Sequence, residues 1–437
     1  MTMTLPLTLP ASLMDTHHVD PAADGWGFMT HHVVATPAGD TYALSGAGRY
    51  RGEADGSTDP AEQNFGYQMI TRHAPDGTPV ATALFGQPWP DGTSSAIEEG
   101  GSPNLAVLPD GTVALSSKPG STHLISSDLS RVLASWPMPW GWEEEKARTG
   151  DPYAASIAVT PSGLLLCTTS EYNLSNWAGA HPNIVALSEP GSGLAPGSKA
   201  TLRAIATHDS RTARQIDADH YPHVRFRGAP VGRDNRPAPS LTEVVSKDAR
   251  SPYDYLDSRM GRPAPLGDDL FVVPVFGKIY RSGNRGQVFT FALLDDQGMV
   301  RGRLEGLDPY KDSPFTGFCF TVVADPHRAR AFHLNRYGLY AWDADGRLRS
   351  RMSTEDKPFK ALTHFALLDC TPAGELLLAH RKQHLLLRVP VPEDLDGLAA
   401  AVEAALKGYG TGRNALKWQY DPVNWHWVDN SAQVHHL

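Results

Sequence analysis

The stretch Leu105–Ser117, LAVLPDGTVALSS, holds an apolar run, a Pro-Asp-Gly turn and a second apolar run, and the chain repeats it. Near copies read VVATPAGDTYALS at 33–45, IAVTPSGLLLCTT at 157–169 and FALLDCTPAGELLLAH at 365–380. Aligned on the turn, they superpose Pro37, Pro109, Pro161 and Pro372, with Gly39, Gly111, Gly163 and Gly374 two residues later. Proline presets φ for the first corner of a tight turn, and glycine accepts the positive φ at its exit. The flanking Val, Leu, Ile and Thr suit half-buried strands. Each copy therefore predicts a β-hairpin.

Two further copies are degenerate. CFTVVADPHRARAFHL (319–334) keeps Pro326 without the glycine, and PLGDDLFVVPVFGK (265–278) puts Gly267-Asp-Asp in place of the proline turn. A second hairpin signal follows several copies: ITRHAPDGTPVATAL (70–84), LISSDLSRVLASW (124–136), FTFALLDDQGMVRGRL (289–304) and LYAWDADGRLRSRM (339–352). Two successive hairpins make a four-stranded antiparallel meander, and a series of such meanders predicts an all-β chain folded as a β-propeller. Six blades are expected, near 29–87, 103–137, 154–206, 220–305, 318–352 and 361–391. Seven is the alternative, because 206–264 is long and rich in turns.

These x-Pro-[Asp/Ser/Ala]-Gly and Asp-x-x-Gly turns resemble those of six-bladed propellers of the NHL or SMP-like type, over most of residues 29–391. Gly-His…Trp-Asp pairs and double-glycine blades are absent. The stretch 363–406, THFALLDCTPAGELLLAH…LLLRVPVPEDLDGLAAAVEAAL, resembles bacterial propeller proteins of ternary systems that include a MoxR-type ATPase and a von Willebrand A module. That resemblance implies a scaffold or substrate-recognition component.

Propeller 1–391 is expected to carry long insertions, notably 136–152 and 228–265, of the length that is usually functional. Residues 392–437 form a C-terminal appendage. PEDLDGLAAAVEAALKGYG (392–410) reads as an amphipathic helix, with Leu395, Leu398, Val402 and Leu406 at helical spacing and Gly408 at its end. NALKWQYDPVNWHWVD (414–429) reads as a closing or appended strand that docks its tryptophans on the disc.

Composition narrows the function classes. Lys plus Arg is 39 against 48 Asp plus Glu, a net −9, so no basic footprint for nucleic acid exists in net terms. No apolar run nears the ~18 residues of a membrane span. The three cysteines, Cys167, Cys319 and Cys370, are far apart and suit a reducing, cytoplasmic setting. MTMTLPLTLPASLM lacks the basic n-region of a signal peptide.

Candidate chemistry lies where strands begin at the propeller axis and in the insertions. The turn alignment puts His31 or His32, Asn104, Ser156, Asp268 or Asp269, Thr321 and His364 at the axial entrance. His32 and His364 are the candidate catalytic pair, as general bases or metal ligands. Within IDADHYPH, Asp217 and Asp219 alternate on one face of an extended segment with His220 and His223 close behind, a mixed oxygen and nitrogen set that suits a divalent cation, calcium or zinc. The plainer reading is a polar loop whose aspartates cap turns. Arg225 and Arg227 would pair with those carboxylates or bind an anion. Trp140 and Trp142, beside Glu143–Glu145, and Trp425 and Trp427 in the tail are candidate anchors for a protein partner; packing against a neighbouring blade is the alternative.

No GxSxG, HExxH, phosphate-loop or helix-opening GxGxxG motif occurs. The expectation is a cytoplasmic protein-interaction scaffold presenting loops and a tryptophan-rich tail. The alternative is a metal-dependent lyase or hydrolase, acting on a small molecule at the axis.

Overall fold

The computed structural model describes residues 2–4, 26–49, 65–85, 104–117, 121–137, 156–168, 183–188, 202–208, 255–281, 284–307, 322–380, 385–409, 425–428 and 434–436. Strand β1 (Thr2–Thr4) is followed by the first meander, β2 (Trp26–Ala35), β3 (Thr41–Arg49), β4 (Phe65–His73) and β5 (Pro79–Phe85). The second is β6 (Asn104–Val107), β7 (Val113–Ser117), β8 (Ser121–Ile125) and β9 (Val132–Pro137). The third is β10 (Ser156–Val159), β11 (Leu165–Thr168), β12 (Asn183–Ser188) and β13 (Leu202–His208).

In the fourth, β14 (Tyr255–Met260) and β15 (Ala264–Pro265) both pair with β16 (Leu270–Arg281), which continues to β17 (Asn284–Asp295) and β18 (Val300–Arg303). The fifth is β19 (Val323–Asp325), β20 (Arg330–Asn335), β21 (Gly338–Trp342) and β22 (Leu348–Ser353). The sixth has β23 (Phe365–Cys370), β24 (Glu375–His380) and β25 (Leu385–Pro390), and takes β1 as its outer strand.

The turn chemistry accounts for the repeat. Gly39, Gly111, Gly163 and Gly374 have φ between 79° and 92°. In each hairpin the glycine amide donates to the residue three before it, as in Gly111 N to Leu108 O at 2.9 Å. Two hairpins reach the same left-handed corner without glycine, at Leu129 (φ 62°) and Ala329 (φ 50°). Leu129 is fully buried, so apolar packing offsets the steric cost of ~1–2 kcal/mol that such a φ imposes.

The ring closes on itself. The inner strands adjoin in the cycle β2, β6, β10, β15, β19, β23 and back to β2. Apolar clusters fill the seams: Tyr42, Leu44 and Ile70 with Leu105, Val113 and Ile125, and Phe271, Val273 and Ala292 with Leu166, Val185 and Ile205. Val33, Ala35 and Ala43 meet Leu368, Leu377 and Leu386 where first and last blades join. The outer strand of that last blade comes from the N-terminus, with Thr2 opposite Leu387 and Thr4 opposite Leu385.

Helix α1 (Leu398–Tyr409) follows a short 3-10 turn at Leu395–Gly397, whose Asp394 side chain accepts from Asp396 N. Its buried residues are Leu398, Val402 and Leu406, packed over Val323, Phe332, Met352, Phe365, Leu387 and Val389 at the seam of the fifth and sixth blades. The apolar spacing in the sequence thus marks the face that docks. Strand β26 (Trp425–Val428) is appended rather than closing: it adds in parallel to β5, and β27 (Val434–His436) pairs beyond it.

Antiparallel order sends alternate connections to opposite ends of the disc. First-to-second strand hairpins are short and share one end. Between described strands, the connections 50–64, 86–103, 138–155, 169–182, 209–254 and 308–321 all depart from second or fourth strands, hence from the other end. The 189–201 connection, between β12 and β13, is the long one at the hairpin end.

Candidate functional site at the propeller axis

Three inner strands are bulged at one level of the axis. On β2, Thr30 pairs with Ser45 and His32 with Leu44, leaving His31 extra. On β23, Leu367 pairs with Leu378 and Asp369 with Leu377, leaving Leu368 extra. In the fourth blade three residues separate Met260 from Ala264, whereas two separate their partners Val275 and Val272. Pro263 lacks the N–H a ladder needs, so the inner strand breaks there and re-aims its neighbour. Gly261 pins the bulge: its amide donates to Pro274 O and its carbonyl accepts from Thr168 Oγ1, both at 2.9 Å.

The re-aimed side chain is Arg262. Its Nε donates to Ile157 O at 3.1 Å, Nη2 to Leu105 O at 3.1 Å and Nη1 to Leu368 O at 3.5 Å. Nη1 also lies against His32 Nε2. One guanidinium therefore touches the inner strands of the first, second, third and sixth blades. Arg262 and Asp369 are both half-buried and lie deep within the disc.

His32 is fixed in one neutral form. The Leu105 amide donates to Nδ1 at 3.0 Å, which assigns the ring proton to Nε2, and Nε2 lies 3.1 Å from Leu368 O. Burial first, and then the Arg262 charge, hold its pKa well below 6.5, against the two backbone bonds. Burial lowers His31 to about 4, and its Nε2 is buried without a hydrogen-bond partner. Burial raises the Asp369 carboxyl to about 6, with Arg262 opposing. A carboxyl poised near neutrality beside a fixed cation is the kind of perturbation that gathers at functional sites.

The candidate residues fall in different places. His32 is on the axis. His364 is exposed at the end of a 3-10 turn, Lys357–His364, and its ring stacks on His380 at 5.8 Å, which stacks on Tyr409 at 5.9 Å. Asp268, expected at the axial entrance, lies on the hairpin at the far end of its inner strand, where it accepts from Ser162 N at 2.8 Å. Trp425 and Trp427 lie on β26, with their side chains outside the described residues. Trp140, Trp142, Asp217, Asp219, His220, His223, Arg225 and Arg227 also lie outside them.

Among the described residues no three His, Cys, Asp or Glu side chains gather as a metal-ligating group, and no helix is long and apolar enough to cross a membrane. Sequence reasoning passed over Arg262 and Asp369. A proline inside a strand run is a bulge signal, and Gly261-Arg262-Pro263 carried it; Asp369 within FALLDC was a charge in an apolar run.

Six meanders around a closed axis define the chain as a six-bladed β-propeller with one C-terminal helix. No protein-family model matches the sequence, and no curated protein matches it. Among solved structures the chain is similar to the β-propeller domain of Cps50 (Swd1) from Myceliophteria thermophila, at 10% identity and TM-score 0.35, covering 82% of this chain and 85% of that one. It is also similar to the WD40 β-propeller domain of Doa1, at 9% identity and TM-score 0.33, covering 83% and 96%. These likenesses are distant, and the architecture is read from the six sheets themselves.

Proposed function

We propose that this propeller is a recognition scaffold that binds a protein partner on the face from which its long connections depart. The observation that carries the reading is the common end of those connections. Short, hydrogen-bonded hairpins occupy the other end, apart from 189–201. Rigid discs that carry variable loops on one face are suited to recognition, because the scaffold holds the loops without being altered by them.

Trp140 and Trp142 fall in the 138–155 connection, and Asp217, Asp219, His220, His223, Arg225 and Arg227 fall in 209–254. Both connections leave their blades at the end proposed for binding. Trp425 and Trp427 would extend the contact along the rim of the first blade, where β26 pairs with β5. Cys167 and Cys370, buried and unpaired, fit a cytoplasmic setting. A metal-dependent reaction at the axis would need its ion to share that space with the Arg262 guanidinium, and like charges away from bulk water repel strongly.

Replacing 138–152, or separately 215–250, by short Gly-Ser linkers tests the reading. Purified wild type is expected to hold a defined partner in native co-purification, and each trimmed protein to lose it while keeping the wild-type melting temperature. A wild-type protein that runs as a free monomer and carries stoichiometric calcium or zinc would overturn the proposal in favour of an axial enzyme.

A further inference from the structure

A buried guanidinium ordinarily meets a carboxylate. Arg262 does not: among the described residues its bonds run to the carbonyl oxygens of Leu105, Ile157 and Leu368, and no carboxylate comes within ion-pair distance. These oxygens belong to three different strands and all face one guanidinium. Backbone oxygens gathered in this way make a negative environment that favours a cation. Asp369 adds a negative field, and His32 stands on a further side.

We propose that the propeller axis is a cation site and that its occupant is the protein's own Arg262 side chain, held there in place of a free ion. The bulge at 261–263 is the device that delivers it. The extra residue turns the side chain from the sheet into the axis, and Thr168 and Pro274 hold the bend from both sides. The planar fork of a guanidinium donates in several directions at once, which a compact ammonium cannot reproduce. Five blades, its own fourth among them, are thereby tied through one side chain, including the first and last, whose junction closes the ring. Neutral His32 follows from the same arrangement, since a second positive charge at Nδ1 would break the Leu105 bond and face Arg262.

Chemical rescue tests the proposal. Arg262→Ala is expected to melt roughly 5–10 °C below wild type, and to recover most of that loss in guanidinium or methylguanidinium at sub-denaturing concentration. Tetramethylammonium at equal ionic strength should not restore it. Wild type should melt alike with EDTA, calcium or zinc. Arg262→Lys should fall between wild type and Arg262→Ala, and should not respond to guanidinium.

If Arg262→Ala does not fold unaided, its refolding yield in guanidinium against tetramethylammonium becomes the readout, and selective recovery supports the proposal. An alanine variant as stable as wild type, recovery that is equal in both salts, or no recovery in either would overturn it.

Discussion

Arg262 Nη1 and His32 Nε2 lie side by side and share the Leu368 carbonyl, at 3.5 and 3.1 Å. The two side chains are 230 residues apart in the chain and come from opposite sides of the ring. Their meeting joins a permanent cation to an imidazole that cannot become one without loss. Acid should therefore act on this protein through its core.

The pH response follows from the histidines. Burial lowers His31 and His123 to about 4 and puts His32 well below 6.5. Between about pH 6.5 and pH 4 the unfolded chain binds protons at these sites and the folded chain does not, so stability rises with pH across that window. Asp369, raised to about 6, acts in the opposite sense between about 4 and 6, but is a single group against three. Calorimetric melting temperatures should be level from pH 8 to 7 and fall from pH 6.5 towards 4.5. A temperature that rises on acidification would contradict the assignment.

Asp369→Asn separates the carboxyl from the histidines. A raised carboxyl pKa means that burial disfavours the ionised form more than Arg262 favours it. Removing the charge should stabilise the protein by about 1–2 kcal/mol at pH 7.5, and the gain should shrink as the pH falls below 6 and vanish only near pH 4, where the carboxyl is protonated in the unfolded chain too. Urea unfolding midpoints at the two pH values measure the difference.

Two turn glycines that look alike in sequence should respond differently to alanine. Gly111 has φ 85°, and a Cβ added there would meet only the Ser127 Cβ, at 3.5 Å, so Gly111→Ala should cost about 1 kcal/mol of backbone strain. Gly298 has φ 76°, and a Cβ there would lie 1.6 Å from the Ile205 carbonyl oxygen on the neighbouring blade. Gly298→Ala should cost about 3 kcal/mol or more, because backbone in a packed strand cannot move aside. Paired denaturation curves decide it.

Removing residues 1–4 should open the last blade. Strand β1 covers the edge of β25 at Leu385, Leu386 and Leu387, and a bare strand edge invites pairing with another chain. The truncated protein is expected to melt lower than wild type and to self-associate with rising concentration in sedimentation velocity. A monomer with unchanged melting temperature would show that β1 does not seal the ring.

Much of this architecture was legible in the residues. Pro37, Gly39 and their counterparts encode hairpins through contacts within a few positions, and Leu395, Leu398, Val402 and Leu406 mark one helical face. Such patterns can be read because the partners are close in sequence and the backbone preferences are intrinsic to the residues. Leu129 and Ala329 show the limit: their left-handed corners follow from the fold around them, and nothing local requires them.

By itself, then, the sequence determined the strand alternation, the turns, the blade series and the helix. Only the tertiary structure decided that the N-terminus closes the ring, that β26 adds in parallel to β5, and that Arg262 stands on the axis. Those outcomes depend on partners such as Leu368 and His32, 336 positions apart. They arise because six curved sheets must meet around one axis, where Arg262 donates to carbonyls of three different strands. The residue that does so was set by a bulge, which no periodic pattern announces.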